Sequence, residues 1–181
     1  NSFQLDRMQI GVEATEISLN EDLRVVSDRV SFNDQRTLTI SNARFYQISR
    51  RGPIITCSEV ALKQFNLLAF AFYKQVLSDG VNLRQADIHV SPEILSQLRR
   101  QRRQRPPGQL ELDIPSGTFQ QVNFYFTDPN QSLALKNTSG RVRQISKDAG
   151  DFISLDVLQM DAHDVEFRNP GRNIYAVANG L

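Results

Sequence analysis

The sequence predicts a mainly β protein of the α+β class: a long, curved and bulged antiparallel sheet with a groove-like shape, plus one or two short helices. Two observations predict this class. Most of the chain alternates apolar and polar residues with a period of two, which is typical of strands. Turn-forming pairs such as Asp79-Gly80 and Ser139-Gly140 interrupt the alternation. Spacing of this kind favours strands that follow one another as antiparallel neighbours.

A repeated spacing indicates that the sheet is curved. The pattern apolar-x-apolar-x-x-apolar-x-apolar occurs in VEATEISL, LTISNARF, VNLRQADI and MDAHDVEF, which begin at positions 12, 38, 81 and 160. The extra middle residue would turn the second half of each segment to the wrong face, unless a β-bulge absorbs it. Because bulges increase twist and bending, these segments predict a strongly curved sheet. The pattern is permissive, so chance recurrence is the alternative.

The remaining strands are predicted from simple alternation. They are LRVVSDRVSF, QLELDI, FQQVNFYF, SLALKN, FISLDVLQ and NIYAVAN. The chain therefore divides into a first β-sheet unit with a short apolar helix (1–90), a capped helix with an Arg- and Pro-rich linker (91–108), and a second β-sheet unit (109–181). One continuous domain is the alternative division.

Two segments favour helices. The centre of EVALKQFNLLAFAFY, at positions 59–73, mixes helical and strand spacing and is predicted to be helical. SPEILSQLRRQRRQ has a stronger pattern, since Ser91 suits the N-cap and Pro92 the first helical position. Pro106-Pro107 then ends this second helix.

Five arginines lie at the carboxyl end of the second predicted helix, where the helix dipole favours cations: Arg99, Arg100, Arg102, Arg103 and Arg105. A solvated cationic helix end explains them without a partner. Contact with anionic lipid or lipopolysaccharide headgroups is the next interpretation, followed by a protein partner. Nucleic acid comes last, because no aromatic residues for base stacking lie among the arginines.

Composition limits the classes of function. The formal net charge of +1 would be −4 without those five arginines, so the chain lacks the broad positive charge of a nucleic-acid-binding protein. Cys57 is the single cysteine, which excludes an intrachain disulfide. The longest apolar run, FNLLAFAFY, is far shorter than the roughly 20 residues of a membrane span. We expect a membrane anchor only through a segment absent from this chain.

No constellation of residues predicts catalysis, a metal or a cofactor. The sequence contains no nucleophile elbow, phosphate-binding loop, dinucleotide fingerprint or zinc-protease motif. His89 is predicted to face solvent or a partner strand. His163 shares a strand face with Asp161, but two ligands do not make a metal site. Cys57 lies in an apolar stretch and is predicted to be inert.

The segment from Arg36 to Glu93 resembles a known family. It places SNARF, GPIITCSEV, FNLLAFAFYKQV and DGVNLRQADIHV in an order similar to that of AsmA-like envelope proteins, the TamB and YhdP type. A weaker likeness, in SDRVSFNDQRTLTISNA, is to the lipopolysaccharide-transport β-jellyroll proteins. The likeness consists of apolar positions and contains no catalytic signature. The membrane helix with which the family usually begins is missing here.

The resemblance implies a curved sheet whose apolar inner face holds acyl chains of phospholipid or lipopolysaccharide without catalysis. It also implies a location in the periplasm, or on the inner membrane facing the periplasm. The predicted lining residues are Val81, Leu83, Ala86, Ile88, Val122, Phe124 and Phe126, and the arginine cluster is the predicted headgroup or partner contact. Two alternatives remain: these apolar faces form an ordinary packed core, or the protein is an assembly module that binds envelope protein partners through its sheet edges.

Overall fold

The described strands form one open, curved sheet of eleven strands with one short α-helix. The computed structural model describes residues 10–18, 23–47, 52–73, 75–92, 111–147 and 154–179. The predicted mainly β class with a short helix is therefore confirmed. Gly80–Val90 of the first predicted unit is hydrogen bonded to Gly117–Asp128 of the second, so both units contribute to the same sheet.

The elements follow one another with short connections, except between β6 and β7. In chain order they are β1 (Ile10–Ser18), β2 (Leu23–Phe32), β3 (Leu38–Gln47), β4 (Pro53–Lys63), α1 (Leu67–Tyr73), β5 (Gln75–Leu77), β6 (Gly80–Val90), β7 (Glu111–Ile114), β8 (Gly117–Asp128), β9 (Gln131–Lys147), β10 (Ser154–Asn169), a 3₁₀ turn (Pro170–Arg172) and β11 (Ile174–Asn179).

Most neighbouring strands are antiparallel, but two pairs are parallel. The sheet order is β1-β2-β3-β4-β6-β8-β9-β10-β11, and β5 pairs with β7, which also pairs with β9. β6 and β8 run parallel, as do β5 and β7. This differs from the antiparallel pairing expected throughout. A parallel pair needs a long crossover, and the chain between β6 and β8 supplies one that includes β7.

A line of backbone distortions crosses the sheet at the same level in five of its strands. Single residues with left-handed φ lie at Ala14 (47°), Asn42 (51°), Gln85 (46°), Gln121 (55°) and Asn137 (49°), in β1, β3, β6, β8 and β9. Asn42 and Gln85 lie in the middle of LTISNARF and VNLRQADI, so the extra residue is absorbed there as predicted. In VEATEISL the left-handed residue is Ala14, a predicted apolar position, and Thr15 faces inward in its place. Because the five distortions lie at one level of the sheet, they define the line along which it bends.

Each of these five residues immediately precedes an inward-facing residue of small or moderate size. We call the resulting row the floor; it consists of Thr15, Ser27, Ala43, Cys57, Ala86, Val122, Thr138 and Ala162. The six central members, from Ser27 to Thr138, are buried. No member is larger than valine, because the inside of a bend has little room for side chains.

One rim of the sheet is covered by the connections that leave it. We call this layer the cap; it consists of Phe65, α1, β5 and β7. In the cap, Phe65 and Ile114 are buried with Leu62 of β4, and Phe70 of α1 packs against the same cluster. The cap thus closes one long side of the bent sheet.

The predicted helix in the segment 59–73 occupies only the second half of that segment. Glu59 to Lys63 instead continue β4, paired with β3 and β6. Gln64, with a φ of 51°, ends the strand, and α1 begins after Asn66, whose Oδ1 accepts a hydrogen bond from the Ala69 amide at 2.9 Å. The second predicted helix, apart from Ser91 and Pro92, and its five arginines fall within positions 93–110, outside the described residues.

Candidate binding trough

The inner face of the bend consists of five rows of residues, and each row runs across the strands from one register partner to the next. Every residue in these rows is apolar or has a hydroxyl group. The floor lies between wall 1 (Val12, Val30, Ile40, Val60, Leu83, Phe119, Gly140, Met160) and wall 2 (Ile17, Val25, Phe45, Ile55, Ile88, Phe124, Leu135, Val165). Outside wall 1 lies Ile10, Phe32, Leu38, Leu62, Val81, Gly117, Val142 and Val157, and outside wall 2 lies Val90, Phe126, Leu133 and Phe167. None of these residues is charged. We call this surface the trough.

The two walls converge over the floor. The rings of Phe119 and Phe124 lie on the same strand five residues apart, and their centroids are 6.0 Å apart in an edge-to-face contact. In an extended strand, residues five apart are separated by about 17 Å. The ring contact shows that side chains of the two walls meet over Val122, so the trough is narrow at this strand.

The trough is best covered at its middle and more open at its ends. Wall residues such as Leu83 and Phe124 are half-buried and pack against the buried floor. Toward the edge strands, Val12 of β1 and Met160 of β10 are 52% and 47% exposed. Across eight strands the trough is about 34 Å long, since strands are spaced about 4.8 Å apart.

The seven predicted lining residues all face the trough, on the adjacent strands β6 and β8. Ala86 and Val122 belong to the floor and are fully buried, whereas the other five are half-buried. Sequence reasoning missed the equivalent residues of β4, although ITCSEVAL has the same spacing. It also missed the repeated spacing in GTFQQVNF, because Gly117 occupies one of the four apolar positions of the pattern.

Cys57 is a floor residue with an inert thiol. The side chain is 5% exposed, and its Sγ lies 3.7 Å from the carbonyl oxygen of Ala43. Burial raises the pKa of the Cys57 thiol from 9.0 to about 11, against a smaller lowering effect of the Ala43 contact. A thiol in this state is protonated at neutral pH and is a poor nucleophile.

The opposite, outer face of the sheet is polar and carries the two histidines. The His89 ring stacks on Tyr125, with centroids 4.9 Å apart. The His163 ring contacts the carboxylate of Asp164, at 3.0 Å, and Asp161 accepts a hydrogen bond from Gln159 instead. Within the described ranges, no group of three or more potential metal ligands comes together.

An open polar pocket of about 500 Å³ lies on this outer face, over the bend. Its carboxylate, Glu59, is paired with Arg84 at 3.4 Å, and the amides of Gln85 and Gln121 contact each other at 3.2 Å. The pocket lining contains neither a histidine nor a cysteine. The pocket can therefore accept hydrogen bonds and donate them, but its lining offers no nucleophile paired with a base.

Comparison with known proteins yields no match: neither a family model, nor a curated protein, nor a solved structure is significantly similar to this chain. In the part of the chain that the structure describes, no helix has both the length and the hydropathy to cross a membrane.

Proposed function

We propose that the trough binds acyl chains of phospholipid or lipopolysaccharide, and holds or passes them along its length without catalysis. The proposal adopts the resemblance to AsmA-like envelope proteins, and with it a location in the periplasm or on the inner membrane facing the periplasm. Envelope lipids and envelope proteins are then the partners.

A single observation carries the proposal: uncharged rows continue across eight strands on a face that no second sheet covers among the described residues. Burying apolar surface is favourable by about 25 cal/mol for each Å², so half-buried Leu, Ile and Phe side chains gain from an apolar occupant. The trough length of about 34 Å exceeds one leaflet, which is about half of a hydrocarbon core of about 30 Å. One or more acyl chains therefore fit along it.

Binding of a fluorescent fatty acid, together with native mass spectrometry of protein purified from cells, tests the proposal. Aspartate at Val12 or Met160 places a charge along the open part of the trough, and we expect roughly tenfold weaker probe binding, since an acyl chain would desolvate that charge. The matched control is Val177→Asp: Val177 is 46% exposed, but lies on the outer face of β11. Wild-type protein that carries no lipid and binds no probe would remove the proposal.

The edge of β10 favours a second candidate, an assembly module that binds an extended protein segment. β10 has 16 residues, but β11 pairs only with Asp164 to Asn169, so residues 154–163 have one edge without a neighbour among the described strands. Val157, Leu158 and Met160 on this stretch are about half exposed. An unpaired edge with exposed apolar side chains is suited to strand addition.

Hydrogen exchange separates the two candidates. Strand addition protects amides in the stretch 154–163 when envelope partners are bound, because the free N–H groups then enter a ladder. An acyl chain contacts side chains and leaves these edge amides unprotected. Protection of this edge without any bound lipid would favour the assembly module over the lipid trough.

A further inference from the structure

Three side-chain hydroxyls in the floor are buried without a hydrogen-bond partner among the described residues: those of Thr15, Ser27 and Thr138. Ser27 and Thr138 are 2% and 0% exposed, and the hydroxyl oxygen of the half-buried Thr15 is also shielded from solvent. All three side chains face the trough, because the floor residues share the inner face of the sheet. A buried hydroxyl without a partner is unfavourable, so a ligand oxygen beside it gains a hydrogen bond.

The hydroxyls are unevenly distributed along the floor. Thr15 and Ser27 are register partners on the neighbouring strands β1 and β2, so their Cβ atoms lie about 5 Å apart. We call these two residues the hydroxyl pair. Thr138 lies five strands beyond Ser27 in the sheet order, about 24 Å along the floor. The hydroxyl pair thus marks one end of the floor, beside the exposed Val12 of β1, and can hold one ligand oxygen between its two groups.

The floor beyond the hydroxyl pair is apolar over about the length of one acyl chain. Its next four members are Ala43, Cys57, Ala86 and Val122. They lie on β3, β4, β6 and β8 and together span about 14 Å, three times the strand spacing. An acyl chain in one leaflet occupies about 15 Å, half of a hydrocarbon core of about 30 Å. A chain that begins at the hydroxyl pair therefore covers this apolar stretch and ends short of Thr138.

The ligand oxygen that fits the hydroxyl pair is neutral. A hydroxyl group both donates and accepts hydrogen bonds, so the pair can bind an ester carbonyl oxygen or the hydroxyl group of a ligand. An ionised carboxylate would lose its hydration there without meeting a cation, because the five rows of the trough contain no charged residue. Acyl chains carry a neutral oxygen of this kind where they are esterified or hydroxylated.

We propose that Thr15 and Ser27 bind a neutral oxygen at the head of an acyl chain and thereby fix the direction of the chain in the trough. The head lies at the β1 end, and the hydrocarbon runs along the floor toward β8. The inference rests on the proposed lipid function and deepens it, because it names the chemical group that the trough recognises and the residues that recognise it.

Displacement of a fluorescent fatty acid by methyl laurate, dodecanol and dodecane tests the proposal, since these ligands have similar chains and differ in the oxygen. The test variant combines Thr15→Val with Ser27→Ala and so removes both hydroxyls of the pair. The control combines Thr39→Val with Ser31→Ala. Ser31 and Thr39 are also register partners on neighbouring strands, but they follow and precede wall residues and therefore lie on the outer face.

We expect the test variant to bind methyl laurate and dodecanol at least about tenfold more weakly than wild type, with unchanged affinity for dodecane. The control should bind all three ligands like wild type. A loss for the ester alone would identify an esterified chain as the ligand, and a loss for the alcohol alone a hydroxylated chain.

Three outcomes overturn the inference. If the test variant binds the oxygenated ligands as wild type does, the acyl-binding function stands and the role of the hydroxyl pair falls. An equal loss for all three ligands would mean that the pair shapes the trough without recognising an oxygen. Wild type that binds none of the three ligands and no probe would remove the lipid function together with this inference.

The stability of lipid-free protein is a second measurement, which needs no ligand. Removing hydroxyls that have no partner in the fold should leave the midpoint of urea denaturation unchanged or raise it. A lower midpoint for the test variant than for the control would mean that a structural water, or each hydroxyl of the pair, already satisfies the other. That result would also overturn the inference.

Discussion

Two adjacent glutamines of β8 provide a test of the bend with an internal control. Gln120 and Gln121 are both exposed, but only Gln121 has left-handed φ, at 55°. The left-handed region is disfavoured by about 1–2 kcal/mol for a residue with a Cβ, whereas glycine adopts it at little cost. In an ordinary strand position valine is favoured over glycine by about 1 kcal/mol. Glycine and valine should therefore rank in opposite order at the two positions.

Four variants measure this inversion: Gln120→Gly, Gln120→Val, Gln121→Gly and Gln121→Val. At position 120 we expect the glycine variant to be about 1 kcal/mol less stable than the valine variant. At position 121 we expect the glycine variant to be about 1–2 kcal/mol more stable. Both changes at 121 remove the 3.2 Å contact with Gln85, so that loss cancels in the comparison.

Urea denaturation gives each free energy of unfolding, and thermal melts provide a second reading of about 2–4 °C for each kcal/mol in a chain of this size. The combined difference between the two positions is about 2–3 kcal/mol, well above the error of either method. If the valine variant is more stable than the glycine variant at both positions, Gln121 does not have a left-handed φ. That result would also contradict the bend aligned across the strands.

Four further predictions concern the inner face. Gly140→Ala should lower the free energy of unfolding by about 1–3 kcal/mol in urea denaturation, because an added Cβ would clash with the carbonyl oxygen of Gln159 and with the Phe119 ring; unchanged stability would contradict this packing. Thr138→Val should raise stability by about 1 kcal/mol, since its fully buried hydroxyl has no hydrogen-bond partner among the described residues; a loss would indicate a bound polar group. Cys57 should react with a maleimide roughly a hundredfold more slowly at pH 8 in native protein than in urea. Because the pKa of Cys57 is raised, the native state retains a proton that the unfolded state loses between pH 9 and pH 11. The free energy of unfolding should therefore fall over this range by up to about 3 kcal/mol relative to that of Cys57→Ala. Parallel pH profiles of stability for wild type and Cys57→Ala would refute this.

Local patterns in the sequence were sufficient to predict most of the strands and the bend. The predicted segment LRVVSDRVSF coincides with β2, and the extra residue in LTISNARF and VNLRQADI is the residue that adopts left-handed φ. Both follow from rules that act within about ten residues, namely the period of two and the need to absorb one extra residue.

The missed features depend on contacts between distant parts of the chain. Nothing in VNLRQADI or GTFQQVNF indicates that β6 and β8 lie side by side in parallel, because that pairing is fixed by the crossover that joins them. The end of β4 was ambiguous for the same reason: Val60 and Leu62 suit a helix or a strand, and pairing with β3 and β6 decides the outcome. Single members of the floor, such as Ala86 and Val122, were predicted to face inward, but their alignment into one row depends on the order and register of the strands.

The floor row also changes how the two interpretations of the inner face relate to each other. Small floor residues let large wall side chains, such as Phe119 and Phe124, fold over them and contact each other. The two walls then bury one another as the two sides of a core do. Both walls belong to the same face of one sheet, however, so opening the space between them does not require two sheets to separate. Under the proposed function, an acyl chain replaces wall-to-wall contacts with wall-to-lipid contacts of the same apolar kind, so little favourable burial is lost on opening. A packed core and a lipid trough are then two states of the same rows, and the exposed ends at Val12 and Met160 are where the exchange begins most easily.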